Sequence, residues 1–291
     1  METDILEELS ALRRKDAALR ELQEPFAALL ERVQTLPAPL DFAAAFAGPG
    51  PHVIAELKKA SPSEGLIRAD FEPTAFAREL EGAGAAALSV LCEPHRFLGS
   101  EAYLRAATDA VKIPVLYKDF VTTPYQVAAA RAAGASAVLL IAAVLDDTRL
   151  AELLGLCHAL GFAALVETHD ADEIRRAVAV GARVIGVNCR DLRTFRTDPA
   201  ITARLIGQIP SDRVRIAESG LKTADDLRRL ADAGAHGFLV GTTLMRAKRP
   251  GEELKNLMKD SHGATERKLG RLSVTPCLRV KPPAVRILAA Q

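Results

Sequence analysis

Ionisable or polar side chains follow five short apolar runs of this sequence. They are Glu56 and Lys58, Lys118 and Asp119, Glu167, Asn188 and Arg190, and Glu218 and Ser219. A lysine can donate a proton to a reacting oxygen and a carboxylate can accept one, so the set has the composition of a general acid–base site. A lysine held in a partly dry site beside other cations is expected to have a lowered pKa, and a glutamate among apolar neighbours a raised one. The alternative for any one residue is a buried ion pair of Glu56 with Lys58 or Lys118.

A repeated pattern indicates which elements position these residues. An alanine-rich helix, a glycine, an alanine and a short apolar run recur at 80–90, 130–140, 177–187 and 230–240. Glycine is typical of the left-handed turn after a helix, and a continuous apolar run is typical of a strand buried on both faces. The pattern predicts parallel βα units.

The whole chain gives eight predicted strands. They are His52–Leu57, Ala86–Leu91, Pro114–Tyr117, Ala137–Ile141, Ala163–Glu167, Val184–Asn188, Val214–Glu218 and Gly237–Val240. Helices are predicted at 72–82, 123–133, 147–160, 170–180 and 222–233, with cap residues at Thr122 or Thr123 before Pro124 and at Asp198 before Pro199. None of the strands has the pattern of an amphipathic edge strand. The sequence therefore predicts an α/β fold, a single (β/α)8 TIM barrel.

Two segments lie outside the eight units. Residues 1–47 are expected to form two or three amphipathic helices, an N-terminal extension that caps the barrel, and residues 48–261 form the catalytic barrel. Residues 262–291 have six Lys or Arg against one Glu and no periodicity, so a flexible basic tail is expected there.

Composition bounds the class of protein. The 291 residues are 49% hydrophobic and carry a net charge of +1, which gives no indication of nucleic acid or an acidic membrane as partner. No apolar run approaches the ~18 residues that a membrane span needs. The first thirty residues are charged throughout and do not resemble a signal peptide, so a cytoplasmic protein is expected.

Cofactor motifs are also missing from the sequence. Cys92, Cys157, Cys189 and Cys277 are widely spaced and are expected to be free thiols, and the six histidines lack metal-binding spacing. No GxGxxG or GxxxxGK[ST] pattern occurs. Neither a metal nor a cofactor is predicted.

The barrel hypothesis places the polar residues at one rim, because active sites of such barrels lie at the carboxyl ends of the strands. In IAELKK, the side chains of Ile54, Glu56 and Lys58 share a face, and Ala55 and Leu57 point the opposite way. Glu56 and Lys58 are therefore expected to face the interior, above its apolar layers.

The last two units suggest a phosphate site. AESG (217–220) and VGTTLM (240–245) place glycine and small hydroxyl residues directly after strands seven and eight, where barrels often bind phosphate. Backbone N–H groups of Gly220, Gly241 and Thr242 would face one phosphate, with Lys58 supplying charge.

Six segments of the sequence resemble, in order, the motifs of one family. They are IAELKKASPSEG (54–65), LYKDF (116–120), LVET (165–168), IGVNCRDL (185–192), AESG (217–220) and VGTTLM (240–245). Over about residues 5–260 the chain resembles the indole-3-glycerol-phosphate synthases of tryptophan biosynthesis. The resemblance implies a barrel that converts 1-(2-carboxyphenylamino)-1-deoxyribulose 5-phosphate to indole-3-glycerol phosphate, with loss of carbon dioxide and water and without cofactor or metal.

The resemblance also implies roles for individual residues. Lys118 matches the general acid for ring closure, Glu167 its partner in the later dehydration, and Lys58 a lysine near the substrate carboxylate and phosphate. Glu56 and Asn188 complete the catalytic set. The other matches contact substrate: Glu218, Ser219 and Arg190 along the chain, Phe97 and Phe120 at the aromatic ring, and Ser61, Gly220, Gly241 and Thr242 at the phosphate.

Two alternatives are weighed against this family. Phosphoribosylanthranilate isomerase would share the phosphate loops, but it lacks the N-terminal helices and the Glu-x-Lys of strand one. A non-catalytic barrel scaffold would be expected to have lost Lys58, Lys118 or Glu167. The expected partner is a small phosphorylated molecule; a monomer is expected, with contact to other tryptophan-pathway enzymes as a possibility.

Overall fold

Eight parallel strands close into a barrel in the computed structural model, which describes residues 5–188 and 199–259. The strands are β1 (His52–Leu57), β2 (Ala87–Leu91), β3 (Val115–Lys118), β4 (Ala137–Ile141), β5 (Ala163–Thr168), β6 (Val184–Asn188), β7 (Val214–Glu218) and β8 (Gly237–Val240). The predicted (β/α)8 TIM barrel is confirmed. Only the bounds of β2, β3 and β5 differ, by one residue. In β3 the reason is chemical, because Pro114 has no N–H and contributes only its carbonyl, to Leu88.

Each strand pairs with its neighbours in chain order, and β1 pairs with β8 to close the barrel at a seam. The register at the seam aligns His52 with Gly237 and Val53 with Phe238. Alternate residues face the interior: Ile54 belongs to the inner apolar cluster, whereas Ala55 and Leu57 belong to the outer cluster beneath the helices. The predicted alternation of β1 is thus confirmed.

Helices follow the strands and cover the barrel. They are α3 (Pro73–Gly82), α4 (Glu101–Thr108), α5 (Pro124–Ala132), α6 (Asp147–Ala159), α7 (Ala171–Ala179), α8 (Pro199–Ile206), α9 (Ala224–Asp232), α10 (Thr242–Arg246) and α11 (Pro250–Lys259). Thr123 caps α5 through a reciprocal capping box with Gln126. The predicted cap Asp198 lies outside the described residues.

The N-terminal part of the chain contacts both ends of the barrel. It forms α1 (Ile5–Glu21), α2 (Phe26–Gln34) and a 3-10 turn (Ala44–Phe46). Phe42 and Phe46 pack edge to face against each other, and both belong to the inner apolar cluster; Phe46 lies beside Gly237, at the start of β8. At the opposite end, the guanidinium of Arg13 on α1 donates to both carboxylate oxygens of Asp119, just after β3, and both residues are buried. The domain limits at 47 and 261 stay predictions, and the tail 262–291 lies outside the described residues.

Cys92 and Cys157 are buried free thiols, as expected, and burial raises the pKa of Cys157 to about 12. Cys189 and Cys277 lie outside the described residues. In the part of the chain that the structure describes, no helix is long and apolar enough to cross a membrane.

Candidate active site

A cavity of about 610 Å³ opens at the carboxyl ends of the strands. Its walls include every predicted site residue that the structure describes: Glu56, Lys58, Ser61, Phe97, Lys118, Phe120, Glu167, Asn188, Glu218, Ser219, Gly220, Gly241 and Thr242. Arg190 lies outside the described residues. Ile5, Leu6 and Leu9 of α1 also line the cavity, so the N-terminal extension forms part of its wall.

Lys118 lies between two carboxylates at the end of β3. Its Nζ donates to Oε2 of Glu167 at 3.0 Å and to Oε2 of Glu218 at 2.7 Å. Burial opposes the charged ammonium, but the negative charges of Glu167, Glu218 and Glu56 outweigh burial and raise the pKa of Lys118. The expected lowering was wrong for this lysine, because its neighbours are carboxylates and not cations.

The two carboxyl groups beside Lys118 differ in charge state. Burial disfavours both anions, but the positive charges of Lys118 and His169 lower the pKa of Glu167 to about 2. Burial and the charge of Glu167 raise the pKa of Glu218 to about 8, against the opposing charge of Lys118. Oε1 of Glu218 has no hydrogen-bond partner among the described residues, whereas Glu167 has His169 nearby as well as Lys118. These shifts favour an ionised Glu167 and a protonated Glu218 near neutral pH. The sequence predicted a raised pKa for a glutamate among apolar neighbours. That prediction agrees with Glu218 and was wrong for Glu167.

A second ion pair lies at the end of β1, beside the seam of the barrel. Lys58 donates to Oε2 of Glu56 at 2.7 Å, and both side chains are buried. The ion pair that was weighed for Glu56 therefore exists with Lys58, while Lys118 has other primary partners. A Cβ on Gly241 would collide with the Glu56 carboxylate and lie 3.0 Å from Lys58 Nζ. Glycine at 241 thus allows β8 to approach this pair.

The loop after β7 turns sharply at the cavity wall. Ser219 and Gly220 both have positive φ, +67° and +74°. A left-handed conformation is uncommon for serine, and such strain occurs most often at functional sites. The adjoining loop is held by Thr243, whose hydroxyl donates to the carbonyl of Leu221 at 2.8 Å. This arrangement brings the two predicted phosphate loops together.

Two aromatic rings form an apolar part of the wall. Phe97 and Phe120 have ring centroids 6.4 Å apart and planes inclined by 44°. The loop that carries Phe97 is shaped by buried Glu93, whose carboxylate accepts three backbone N–H groups, of His95, Arg96 and Phe97. A planar aryl group fits beside these rings.

Sequence reasoning missed three residues at this rim. They are Glu93, which follows β2; His169, which follows β5 and lies 3.5 Å from Glu167; and Arg246 of α10, which pairs with Glu64 across the cavity mouth. A sequence signal was present for Glu93 and His169, because each stands two residues beyond the end of a predicted strand, close to the predicted rim.

Comparisons with solved structures identify the fold. The chain is similar to a thiamine phosphate pyrophosphorylase from Pyrococcus furiosus, with 14% identity, a TM-score of 0.52 and coverage of 71% of this chain and 93% of that one. It is similar to 3-hexulose-6-phosphate synthase from Salmonella typhimurium, with 14% identity, a TM-score of 0.58 and coverage of 71% and 96%. It is also similar to N-acetylmannosamine-6-phosphate 2-epimerase from Clostridium perfringens, with 16% identity, a TM-score of 0.53 and coverage of 69% of this chain and 89% of that one.

A family model is more specific than these structures. The model for indole-3-glycerol phosphate synthase matches residues 6–257, which include the cavity and all its described walls except Ile5. Members of this family are carboxy-lyases of tryptophan biosynthesis. With the motifs, the barrel and the family match in agreement, the chain belongs to the indole-3-glycerol phosphate synthase family.

Proposed function

We propose that the residues of this cavity convert 1-(2-carboxyphenylamino)-1-deoxyribulose 5-phosphate to indole-3-glycerol phosphate by general acid–base catalysis. The observation that carries the proposal is the position of Lys118, whose ammonium donates at once to Glu167 and Glu218 inside the cavity, two carboxyl groups with pKa values shifted in opposite directions. Such a cluster contains an acid, a base and a proton reservoir within hydrogen-bond reach of one another.

Ring closure is the first step. A ring carbon of the anilino group attacks the ketone, and negative charge develops on the ketone oxygen. In our proposal the ammonium of Lys118 donates a proton there, since an alkoxide is a stronger base than an amine. Loss of carbon dioxide then restores the aromatic ring. Protonated Glu218, 2.7 Å from Lys118 Nζ, is placed to return a proton to the lysine.

Dehydration follows and requires a base. In the resting site Glu167 is a weak base because Lys118 holds its pKa at about 2. Lys118, reprotonated by Glu218, gives a second proton to the leaving hydroxyl; its stabilising charge is then gone and the pKa of Glu167 rises. Glu167 then removes the proton from the carbon beside nitrogen. In our proposal the leaving hydroxyl is held by the other members of the catalytic set, which are Glu56, Lys58 and Asn188.

Binding of the substrate uses the remaining walls. We assign the phosphate to Ser61, Gly220, Gly241 and Thr242, the aryl ring to Phe97 and Phe120, and the sugar hydroxyls to Glu218 and Ser219. The phosphate anchors a flexible chain, so its binding energy supports the orientation that ring closure needs. Arg190 is proposed as a further substrate contact, although it lies outside the described residues.

The expected partner is this small molecule alone. We propose that the protein acts as a monomer, as expected from the sequence. The cytoplasmic location and any contact with other enzymes of tryptophan biosynthesis remain proposals from the sequence.

The test follows product formation by indole fluorescence with purified protein and no added metal. The chain has no tryptophan, so no indole fluorescence of the protein underlies the product signal. Lys118→Met and Glu167→Gln are expected to lower kcat by roughly 10²–10⁴. Lys255→Met, at an exposed position of α11, is the matched control and should retain full activity. No product from folded wild-type protein would overturn the proposal.

A further inference from the structure

The proposed reaction consumes a proton. The substrate carboxylate leaves as neutral carbon dioxide, and its bonding electrons return to the ring. The ketone oxygen takes up two protons before it leaves as water, and only one comes from the substrate carbon that is deprotonated. One proton must therefore enter the cavity from solvent in every turnover.

His169 is placed to serve this need. It follows β5 directly, two residues after Glu167, and its Nε2 lies 3.5 Å from Oε1 of Glu167. The other ring nitrogen, Nδ1, lies 3.1 Å from Oε2 of Glu173 on α7, which also accepts the backbone N–H of His169. The imidazole thus has one nitrogen held by a carboxylate and the other directed at the proposed base.

The imidazole of His169 lies between the buried Glu167 and the solvent-exposed rim of the cavity. The side chain of Glu167 is 5% exposed, whereas that of His169 is 19% exposed. Nε2 of His169 has no hydrogen-bond partner among the described residues, and its nearest recorded carboxylate is that of Glu167. Hydrogen bonds of catalytic groups are often long without substrate and tighten in the complex.

We propose that His169 is a positioning residue that orients Glu167 and passes one proton from solvent to it in each turnover. This inference rests on the proposed function. At the end of the turnover, Nε2–H of the imidazolium gives its proton to Oε1 of Glu167. Lys118, which lies between the two carboxyl groups, then transfers a proton from Glu167 to Glu218, which had lost its own to the lysine, and Glu167 is again ionised. The neutral imidazole takes a new proton from solvent water. Glu173 fixes the ring throughout, in the manner of the third member of a catalytic triad. No atom is oxidised or reduced.

The charged groups around the ring favour its protonated form. Those that face it are Glu167 on β5, Glu218 on β7 and Glu173 on α7, with Lys118 of β3 beyond the first two. Burial lowers the pKa of His169, but the hydrogen bond to Glu173 and the negative charges of Glu167 and Glu173 outweigh it, so the net pKa is raised. The imidazolium is thus available near neutral pH and is lost as the pH rises through its pKa.

The test compares pH profiles of kcat for wild type and His169→Gln, which keeps a hydrogen-bond donor but does not titrate. The variant is expected to lose roughly tenfold or more in kcat with KM nearly unchanged, and to lose the fall of kcat that wild type shows on the alkaline side of the profile. His158→Gln, at an exposed position of α6, is the matched control and should behave as wild type.

Two further variants guard against a folding defect. Glu173→Gln keeps the imidazole and removes its partner, so the alkaline fall of kcat should move to lower pH. His169→Ala should regain activity when imidazole is added. Wild-type kcat in His169→Gln, or an unchanged alkaline limb in that variant with no imidazole rescue of His169→Ala, would overturn the inference. An inactive wild type would instead overturn the proposed function, and this inference with it.

Discussion

Replacing Glu218 by glutamine should make the protein more stable and less active. Glu218 is 1% exposed and lies beside the ionised Glu167, so its negative form is disfavoured and its pKa is about 8. Glutamine has the same shape and no charge. It still accepts a hydrogen bond from Lys118, but it cannot return a proton to it.

The magnitude follows from the difference in pKa between folded and unfolded chain. A carboxyl whose pKa is raised by folding contributes stability below its unfolded pKa of about 4.5, and this contribution is lost as the pH rises to about 8. Each pH unit corresponds to about 1.4 kcal/mol for one proton. Relative to wild type, Glu218→Gln should therefore gain about 1.4 kcal/mol per unit across this range, to a limit on the order of 5 kcal/mol.

Glu167→Gln is the matched control, with the opposite sign. The pKa of Glu167 is about 2, so its stabilising contribution is present above about pH 4.5 and is lost as the pH falls toward 2. This variant should be less stable than wild type near neutral pH, by about 3 kcal/mol, and the difference should vanish in acid.

The assay is urea unfolding followed by far-ultraviolet circular dichroism, since the chain has no tryptophan to report by fluorescence. The free energy of unfolding is measured at intervals from about pH 2 to about pH 8.5 for the three proteins. A difference between Glu218→Gln and wild type that stays constant with pH would refute the protonated state of Glu218. If the stability of Glu167→Gln relative to wild type rises with pH instead, the shared proton belongs to Glu167 and not to Glu218.

Further predictions concern the residues that support the site. Arg13→Met leaves the buried Asp119 carboxylate without its cation, and urea unfolding should show a loss of about 3–5 kcal/mol. Glu93→Ala removes the acceptor of three backbone N–H groups, so it should raise KM through the loop of the aromatic wall; unchanged KM in steady-state assays would contradict this. Gly186→Ala adds a methyl group that collides with Oε1 of Glu218, and it should lower kcat with a stability loss of about 1–3 kcal/mol; wild-type kcat would contradict the assigned position of that carboxyl.

The fold could be predicted from the sequence because the residue patterns that specify its strands and helices are local and periodic. Each apolar run is long enough for one buried strand, and glycine marks the end of the preceding helix at Gly84, Gly134, Gly181 and Gly234, all with positive φ. Five of the eight strands have the predicted bounds. The hairpin of Ala60–Ser61 with Gly65–Leu66 was missed, since two-residue strands carry no periodic signal.

The members of the candidate site could be predicted for a related reason, but their charge states could not. The carboxyl ends of parallel strands meet at one rim, so Lys118, Glu167 and Glu218 could be grouped from their positions alone. Their pKa values depend on which oxygen lies within 3 Å of which nitrogen, and that is a three-dimensional distance. Arg13 acts through a partner that is 106 residues away along the chain, and no spacing rule identifies it.

The seam of the barrel also affects how the protein is made. β1 emerges early from the ribosome, but its partner β8 comes near the end of the described chain; Glu64 and Arg246, which pair across the cavity mouth beside the seam, are 182 residues apart. At about 5–20 residues per second, the nascent chain waits roughly ten to forty seconds for closure. During that time the apolar β1 has an unpaired edge, on the side that β8 later covers, which is open to pairing with other chains. Because Gly241 and the Glu56–Lys58 pair meet only at the seam, enzyme activity reports that synthesis has passed the last strand.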